Sequence, residues 1–178
     1  VLDDADNIRW ISGAHDSAGR LTDKIGKPLA SEVVGGPLLA HRDRIEAADQ
    51  VQVYEVALAD VAGQRTFSLK RGASRLKDNR IMAPGWRRDG PYAAEIVPAG
   101  VGDDADHGPG LDRVRYVIAL PAAARHRVQA RLLFQPLSPR WAAELLQVDA
   151  LDVRRFKALY EAADRAPELF AKASLALP

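Results

Sequence analysis

The 178-residue chain contains no cysteine. That absence excludes disulfides, Cys-ligated zinc, thiol catalysis and covalent c-type haem, since no Cys-x-x-Cys-His exists. It leaves the compartment open. Histidine is also scarce: His15, His41, His107 and His126 are widely spaced, so a multi-histidine metal site would need long-range assembly. An excess of one charge is missing too. The 25 basic and 24 acidic residues give a net charge of +1, without the basic surplus of a nucleic-acid binder, so no nucleic-acid partner is expected. No run of 18 apolar residues is present, so no membrane span is expected, and the first residues lack a signal-peptide pattern. The start at Val1 raises the expectation of a piece cut from a longer protein. The apolar fraction, 47%, is ordinary for a globular domain.

The hydropathy pattern points to a mainly β chain. "IRWISG" (8–13) reads as a short strand, and residues 24–50 read as irregular. "VQVYEVAL" (51–58) alternates with period two and is rich in β-branched residues. A Gly63 turn and "TFSLKR" follow it, which predicts a hairpin over 51–70. "RVRYVIAL" (113–120) and "HRVQARLLFQ" (126–135) predict a second antiparallel hairpin joined by "PAAAR", with Val128, Ala130, Leu132 and Phe134 turned inward. Ser138 is a candidate N-cap with Pro139 at the first helical position, and helical spacing continues through "DALDVRRFKALYEAADRA". "ELFAKASLALP" follows as a terminal strand or docking segment. No internal repeat stands out. These readings give one domain, an antiparallel β-sandwich of jelly-roll or immunoglobulin-like type over about 1–136 plus a terminal strand, with a helical element at about 138–166.

The richest site candidate is "GVGDDADHGPGLDR" (100–113). Asp103, Asp106 and Asp112, with Asp78 from "RLKDNRIMAPGW" (75–86), supply hard oxygens suited to Ca²⁺. The pattern is not an EF-hand, because no Glu closes the loop. The alternative is a solvated turn whose Asp side chains cap backbone N–H groups. Asp78 and Arg80 also suit a structural pair before a Pro84-Gly85 corner, with Leu76 and Ile81 as anchors and Lys77 near solvent. Ser12, Ser17, His15 and Asp16 lie close together, but a catalytic triad is defined by geometry and no G-x-S-x-G elbow accompanies them. Trp10, Trp86 and Trp141 suit either a glycan platform or core packing. No catalytic and no cofactor-binding residue is assigned.

Several segments taken in order resemble a known family. "VQVYEVALADVAGQRTFSLKRGASRLKDNRIMAPGW", "DDADHGPGLDRVRYVIAL" and "VQARLLFQPLSPRWAAELL" are similar to the C-terminal, haem-free region of certain extracytoplasmic multihaem c-type cytochrome-like proteins. The similarity covers roughly residues 50–165. Phe134 occupies the family's aromatic position before "QPLSPR". The resemblance implies a non-enzymatic accessory or interaction domain, located in the bacterial periplasm or outside the cell. Its partner would be a cytochrome module of the same or a neighbouring chain. It carries over no catalytic residue. Two alternatives stand beside it: a ligand-binding β-sandwich for Ca²⁺ or a glycan, and a hydrolase built on His15, His107 and nearby carboxylates. Oligomeric state is left open.

Overall fold

The computed structural model describes residues 1–121 and 125–177. The elements in chain order are β1 (Ala14–His15), β2 (Leu21–Thr22), a 3-10 turn (Ala30–Glu32), β3 (Arg44–Ile45), β4 (Val56–Ala59), β5 (Arg65–Thr66), β6 (Ser74–Asp78), α1 (Ala93–Ile96), β7 (Arg115–Tyr116), β8 (His126–Phe134), α2 (Pro139–Leu145), α3 (Leu151–Ala162) and β9 (Glu168–Leu177). The fold is mainly β, in small sheets: β1-β2, β3-β7, β5-β4-β6 and β8-β9. The chain divides into two compact units interleaved in sequence. The first holds Val1–Gly36, Glu46–Gln50 and the described residues from Ile118 onward; the second holds Pro37–Ile45 and Val51–Val117.

In the second unit the hairpin expected over 51–70 forms, with Leu58 opposite Thr66 and Ala59 opposite Arg65. β6 adds on the other side of β4. The ladder is shorter than the period-two pattern predicts, because residues 51–55 stay extended without a partner strand. Side chains take the place of that strand. The Val53 carbonyl accepts from Lys77 Nζ at 2.8 Å and from Asn79 Nδ2 at 2.9 Å, and the Glu55 N–H donates to Asn79 Oδ1 at 2.9 Å.

The orientation of β6 corrects a second expectation. Between Ala57 and Leu58 the pairing slips, so that Ala57 faces Lys77 while Leu58 faces Arg75. The extra residue, Leu76, is bulged out and exposed. Lys77 turns inward with Ala57 and is 1% exposed. The anchors of this segment are therefore Lys77, Asp78 and Asn79, and Ile81 is exposed. The Pro84-Gly85 corner is present: the Trp86 N–H donates to the Ala83 carbonyl at 3.1 Å, and Gly85 has φ 89°. That positive φ at the third turn position suits glycine.

In the first unit the strand expected at 8–13 is reduced to an isolated bridge, Leu2 with Ile8, closed by a tight turn at Asp3–Asn7. The second predicted hairpin does not form either. β7 pairs in parallel with β3 in the second unit, whereas β8 pairs with β9 in the first; the "AAA" of the expected connection lies outside the described residues. β8 has alternating apolar residues, and β9, some forty positions on, matches them over a longer ladder than β7 provides. Ser138 caps α2 as expected, its Oγ accepting from the Trp141 N–H at 3.3 Å. In α3, Phe156 and Tyr160 stack at 5.6 Å.

One local device recurs, although no internal repeat was expected. In "DDADN", "DSAGR", "DKIGK" and "DVAGQ", the leading Asp3, Asp16, Asp23 and Asp60 each accept backbone N–H bonds from the residues two and four places on. The fourth residue has a positive φ, being glycine in three cases and Asp6 in the other. The carboxylate replaces the missing partners of the turn's backbone donors.

Candidate functional site

The polar side chains of the second unit that lie closest together come from four stretches of chain. His41 stands on the loop before β3. Gln52 and Tyr54 lie on the extended lead into β4. Asn79 follows β6 directly, and Asp104, His107 and Asp112 belong to the Asp-rich loop. Asn79 is held by the backbone on two sides: its Oδ1 accepts from the Glu55 N–H, and its own N–H donates to the Glu55 carbonyl at 3.3 Å. Its carbonyl in turn accepts from His107 Nε2 at 3.0 Å. The loop is drawn to β6 at a second place, where the Gly110 N–H donates to the Met82 carbonyl at 2.6 Å. Gly110 has φ 73°, and a side chain there would meet the Pro84 ring at 3.1 Å, so this close approach requires glycine.

His41 is at the centre. Its Nε2 lies 2.8 Å from Asp104 Oδ2, and both side chains are buried. Its Nδ1 accepts from Gln52 Nε2 at 2.8 Å and from Asn79 Nδ2 at 3.0 Å. Both amide orientations are fixed by groups that can only donate: the Arg42 N–H points at Gln52 Oε1 at 2.8 Å, and the Glu55 N–H points at Asn79 Oδ1. Each amide therefore turns its NH₂ toward His41. The imidazole must keep a lone pair on Nδ1 and its proton on Nε2, which it donates to Asp104.

Asp104 is tied from both sides. Burial raises its carboxyl, but hydrogen bonds from His41 and from the backbone N–H groups of Asp106 and His107 outweigh this and hold it below the usual value. Asp112 Oδ2 accepts from the Tyr54 hydroxyl at 2.6 Å and from Gln52 Nε2 at 3.4 Å. Burial first, then the hydrogen bond and charge of Asp112, push the Tyr54 phenol well above its ordinary range. Two acceptors are buried without a hydrogen-bond partner, Asp112 Oδ1 and His107 Nδ1. The His107 ring meets His41 edge-on, with centroids 5.2 Å apart.

Among the described residues, two sets offer ligand atoms within 4.8 Å of one another: His41, Asp104 and Asp112, and Asp43, Asp104 and Asp106. Of the four carboxylates named from the sequence, Asp106 and Asp112 fall in different sets, and Asp78 and Asp103 fall in neither. Asp103 is exposed. Asp106 accepts from the Arg113 N–H at 3.2 Å. Asp78 is turned to Arg80 at 2.9 Å and Arg75 at 3.3 Å; burial raises its carboxyl, but these guanidiniums lower it further. The inward carboxylates of the loop are Asp104 and Asp112. His41 does not suit a metal through Nε2: coordination there would move the proton to Nδ1, facing two fixed N–H donors.

The remaining candidates behave as local structure. The Ser12 hydroxyl donates to the Gln50 carbonyl at 2.5 Å, His15 Nδ1 to the Asp16 carbonyl at 3.1 Å, and the Asp16 carboxylate caps its own turn. None of these three engages another as a triad requires. His15 belongs to the first unit and His107 to the second, as Trp10 and Trp141 belong to the first and Trp86 to the second. Trp86 lines a pocket of about 210 Å³ with Arg88, Ala93, Ala94 and Val97. His41, Gln52 and Tyr54 were missed by sequence reasoning. His41 sits in an irregular Gly/Pro-rich stretch, and "VQVYE" was read only as the start of a strand. The available signal was Gln52 and Tyr54 recurring at period two on one side of an extended segment.

No family model, curated protein or solved structure matches the chain. No helix among the described residues is long and apolar enough to cross a membrane.

Proposed function

We propose that the chain is a non-enzymatic accessory or interaction domain of an extracytoplasmic electron-transfer protein of the multihaem c-type cytochrome kind. In this reading the three-stranded sheet is one leaf of a β-sandwich of jelly-roll or immunoglobulin-like type. The partner is a cytochrome module of the same or a neighbouring chain, and the location is the periplasm or cell exterior. The resemblance of "LKDNRI" and the Asp-rich loop to that family motivates the proposal. The observation that carries the non-enzymatic part is the bonding of those same residues. Asn79, Asp104 and Asp112 turn into a buried network in which His41 has a fixed tautomer and both amides answer to backbone groups. A general base needs a nitrogen free to accept a proton from substrate; here Nδ1 already accepts two bonds and Nε2 faces a carboxylate. The reading frame around Val1 tests the proposal. Cys-x-x-Cys-His motifs are expected in the same or an adjacent frame, and a frame and neighbourhood without them would sink the cytochrome link.

The cation-binding alternative keeps one specific support, the unpartnered Asp112 Oδ1. Thermal melting with millimolar Ca²⁺ and then with chelator tests it. Saturation at 100 times the dissociation constant adds about 2.7 kcal/mol, so an unmoved melting temperature rejects it.

A further inference from the structure

We infer that the pocket beside Trp86 in the second unit binds a small carboxylate carried on a flat apolar body, with Arg88 taking the charge. The pocket, about 210 Å³, is lined by Trp86, Arg88, Ala93, Ala94 and Val97. Both walls are anchored to β6 and to the corner after it. On one side the Trp86 N–H donates to the Ala83 carbonyl. On the other, Arg75 of β6 donates to the Val97 carbonyl at 3.0 Å, and Asp78 and Ala99 exchange backbone bonds at 2.8 and 3.0 Å. The cavity is therefore preformed, as small-molecule sites usually are. Between the walls Tyr92 turns the chain with φ 60°, uncommon for a bulky side chain. Backbone strain of this kind gathers at ligand sites.

The lining sets the chemistry of the occupant. Ala93, Ala94 and Val97 share one side of the α1 turn, which leaves Glu95 off that side. The Nε1 edge of Trp86 is shut off from water, so the indole offers the cavity carbon. The one charged side chain of the lining is Arg88. Its neighbour Arg87 already holds the nearby carboxylate, Asp89, at 2.9 and 2.6 Å. Arg88 is exposed and has no hydrogen-bond or ion-pair partner among the described residues. A guanidinium takes a carboxylate through two parallel N–H bonds, and an indole favours a ring laid against it. A sugar acid brings the same charge, but its hydroxyls would face methyl groups here and lose their water without replacement. The lining therefore selects an apolar ring over a glycan. The cavity is smaller than the roughly 300–1,000 Å³ of drug-sized sites, which suits a single ring.

This site goes beyond the functional reading above and is decided whatever the reading frame contains. The probe is sodium benzoate, titrated into the isotope-labelled full chain at constant ionic strength and followed by nuclear magnetic resonance. Saturable shifts are expected at Trp86, Ala93, Ala94 and Val97, with a dissociation constant of about 1–10 mM for so few atoms. Benzamide, the same ring without the charge, should bind about fivefold more weakly, the worth of a well-made exposed ion pair. Glucuronate should give no saturable shift at these residues. Arg88→Gln should weaken benzoate about fivefold. Lys70→Gln, which removes the same charge from an exposed position of the second unit, should leave the affinity unchanged. Ala94→Leu, at an exposed position of α1, should abolish binding by filling the cavity. Arg88 has no partner to lose, so Arg88→Gln decides even if Ala94→Leu fails to fold. Shifts that rise linearly or spread over the other arginines, benzamide binding as tightly as benzoate, equal weakening by Lys70→Gln, or saturable binding of glucuronate at the pocket overturns the inference.

Discussion

Both units bury charge, but they leave different surfaces open. In the second, the charged Lys77 and the polar Asn79 are fully covered, and Ile45, Val51, Ala57 and Ala59 are buried too. The first covers Glu32 and Arg140 and, among its described apolar residues, Ala142 on α2, but it leaves Phe134, Leu169, Phe170 and Leu175 open on a ribbon. A buried polar group is tolerated when each donor and acceptor is answered. A bare apolar face costs the isolated chain its hydrophobic gain. Single substitutions should therefore be felt strongly around Lys77 and Asn79 and weakly on the open faces of the first unit.

Asn79→Ala should show the largest effect. It orphans the buried Glu55 N–H and removes one of the two donors to His41 Nδ1, for a loss of about 4 kcal/mol, read as loss of amide exchange protection across β4 and β6. Lys77→Met comes next. It keeps the volume but takes the Nζ donor from the Leu39 carbonyl and the Glu55 carboxylate and leaves the Val53 carbonyl with Asn79 alone; a urea midpoint shift equivalent to about 3 kcal/mol is expected. Asp104→Asn should cost about 2 kcal/mol at neutral pH, and the cost should depend on pH. The native carboxyl lies below its unfolded value, so its contribution is full above about pH 4 and drains away as pH falls through the native value. The stability curves of wild type and variant should converge on the acid side. Convergence on the alkaline side instead would contradict the assigned charge. Tyr54→Phe removes the short bond to Asp112 and should cost about 1 kcal/mol. Leu159→Ser, on the open side of α3 in the first unit, should change stability by no more than about 0.5 kcal/mol. A cost there above that of Tyr54→Phe would erase the contrast between the units.

What sequence could supply depended on the range of the interaction. The hairpin through Gly63, the cap at Ser138 and the Pro84-Gly85 corner are local chemistry and were legible. The turn role of the Asp-rich loop was legible too, since Asp104 caps Asp106 and His107 within three residues. The partner of β8 was not, because an alternating strand says only that it pairs, and β7 and β9 both alternate. Lys77 was placed near solvent because a strict period-two count runs straight through the bulge at Leu76. A one-residue slip inverts every side chain beyond it, and no residue in "SRLKD" announces the slip. In the candidate site, "LKDNRI" was linked to the Asp-rich loop through Asp78. The link lies in the Asn79 main chain as much as in its side chain, and residue type carries no information on that. His41 was invisible for the plainest reason: a lone histidine in a Gly/Pro-rich loop acquires partners only when the chain is folded.

Lys77 has a use beyond holding the sheet. An amine is acylated through its free lone pair, and this ammonium donates hydrogen bonds to Leu39, Val53 and Glu55 behind a closed surface. Lys24, Lys27 and Lys70 are exposed and will react at once. Lys77 can react only in the moments when β4 and β6 part. The slow appearance of a mass tag on that one lysine is therefore a clock, built into the chain, for how often the second unit opens.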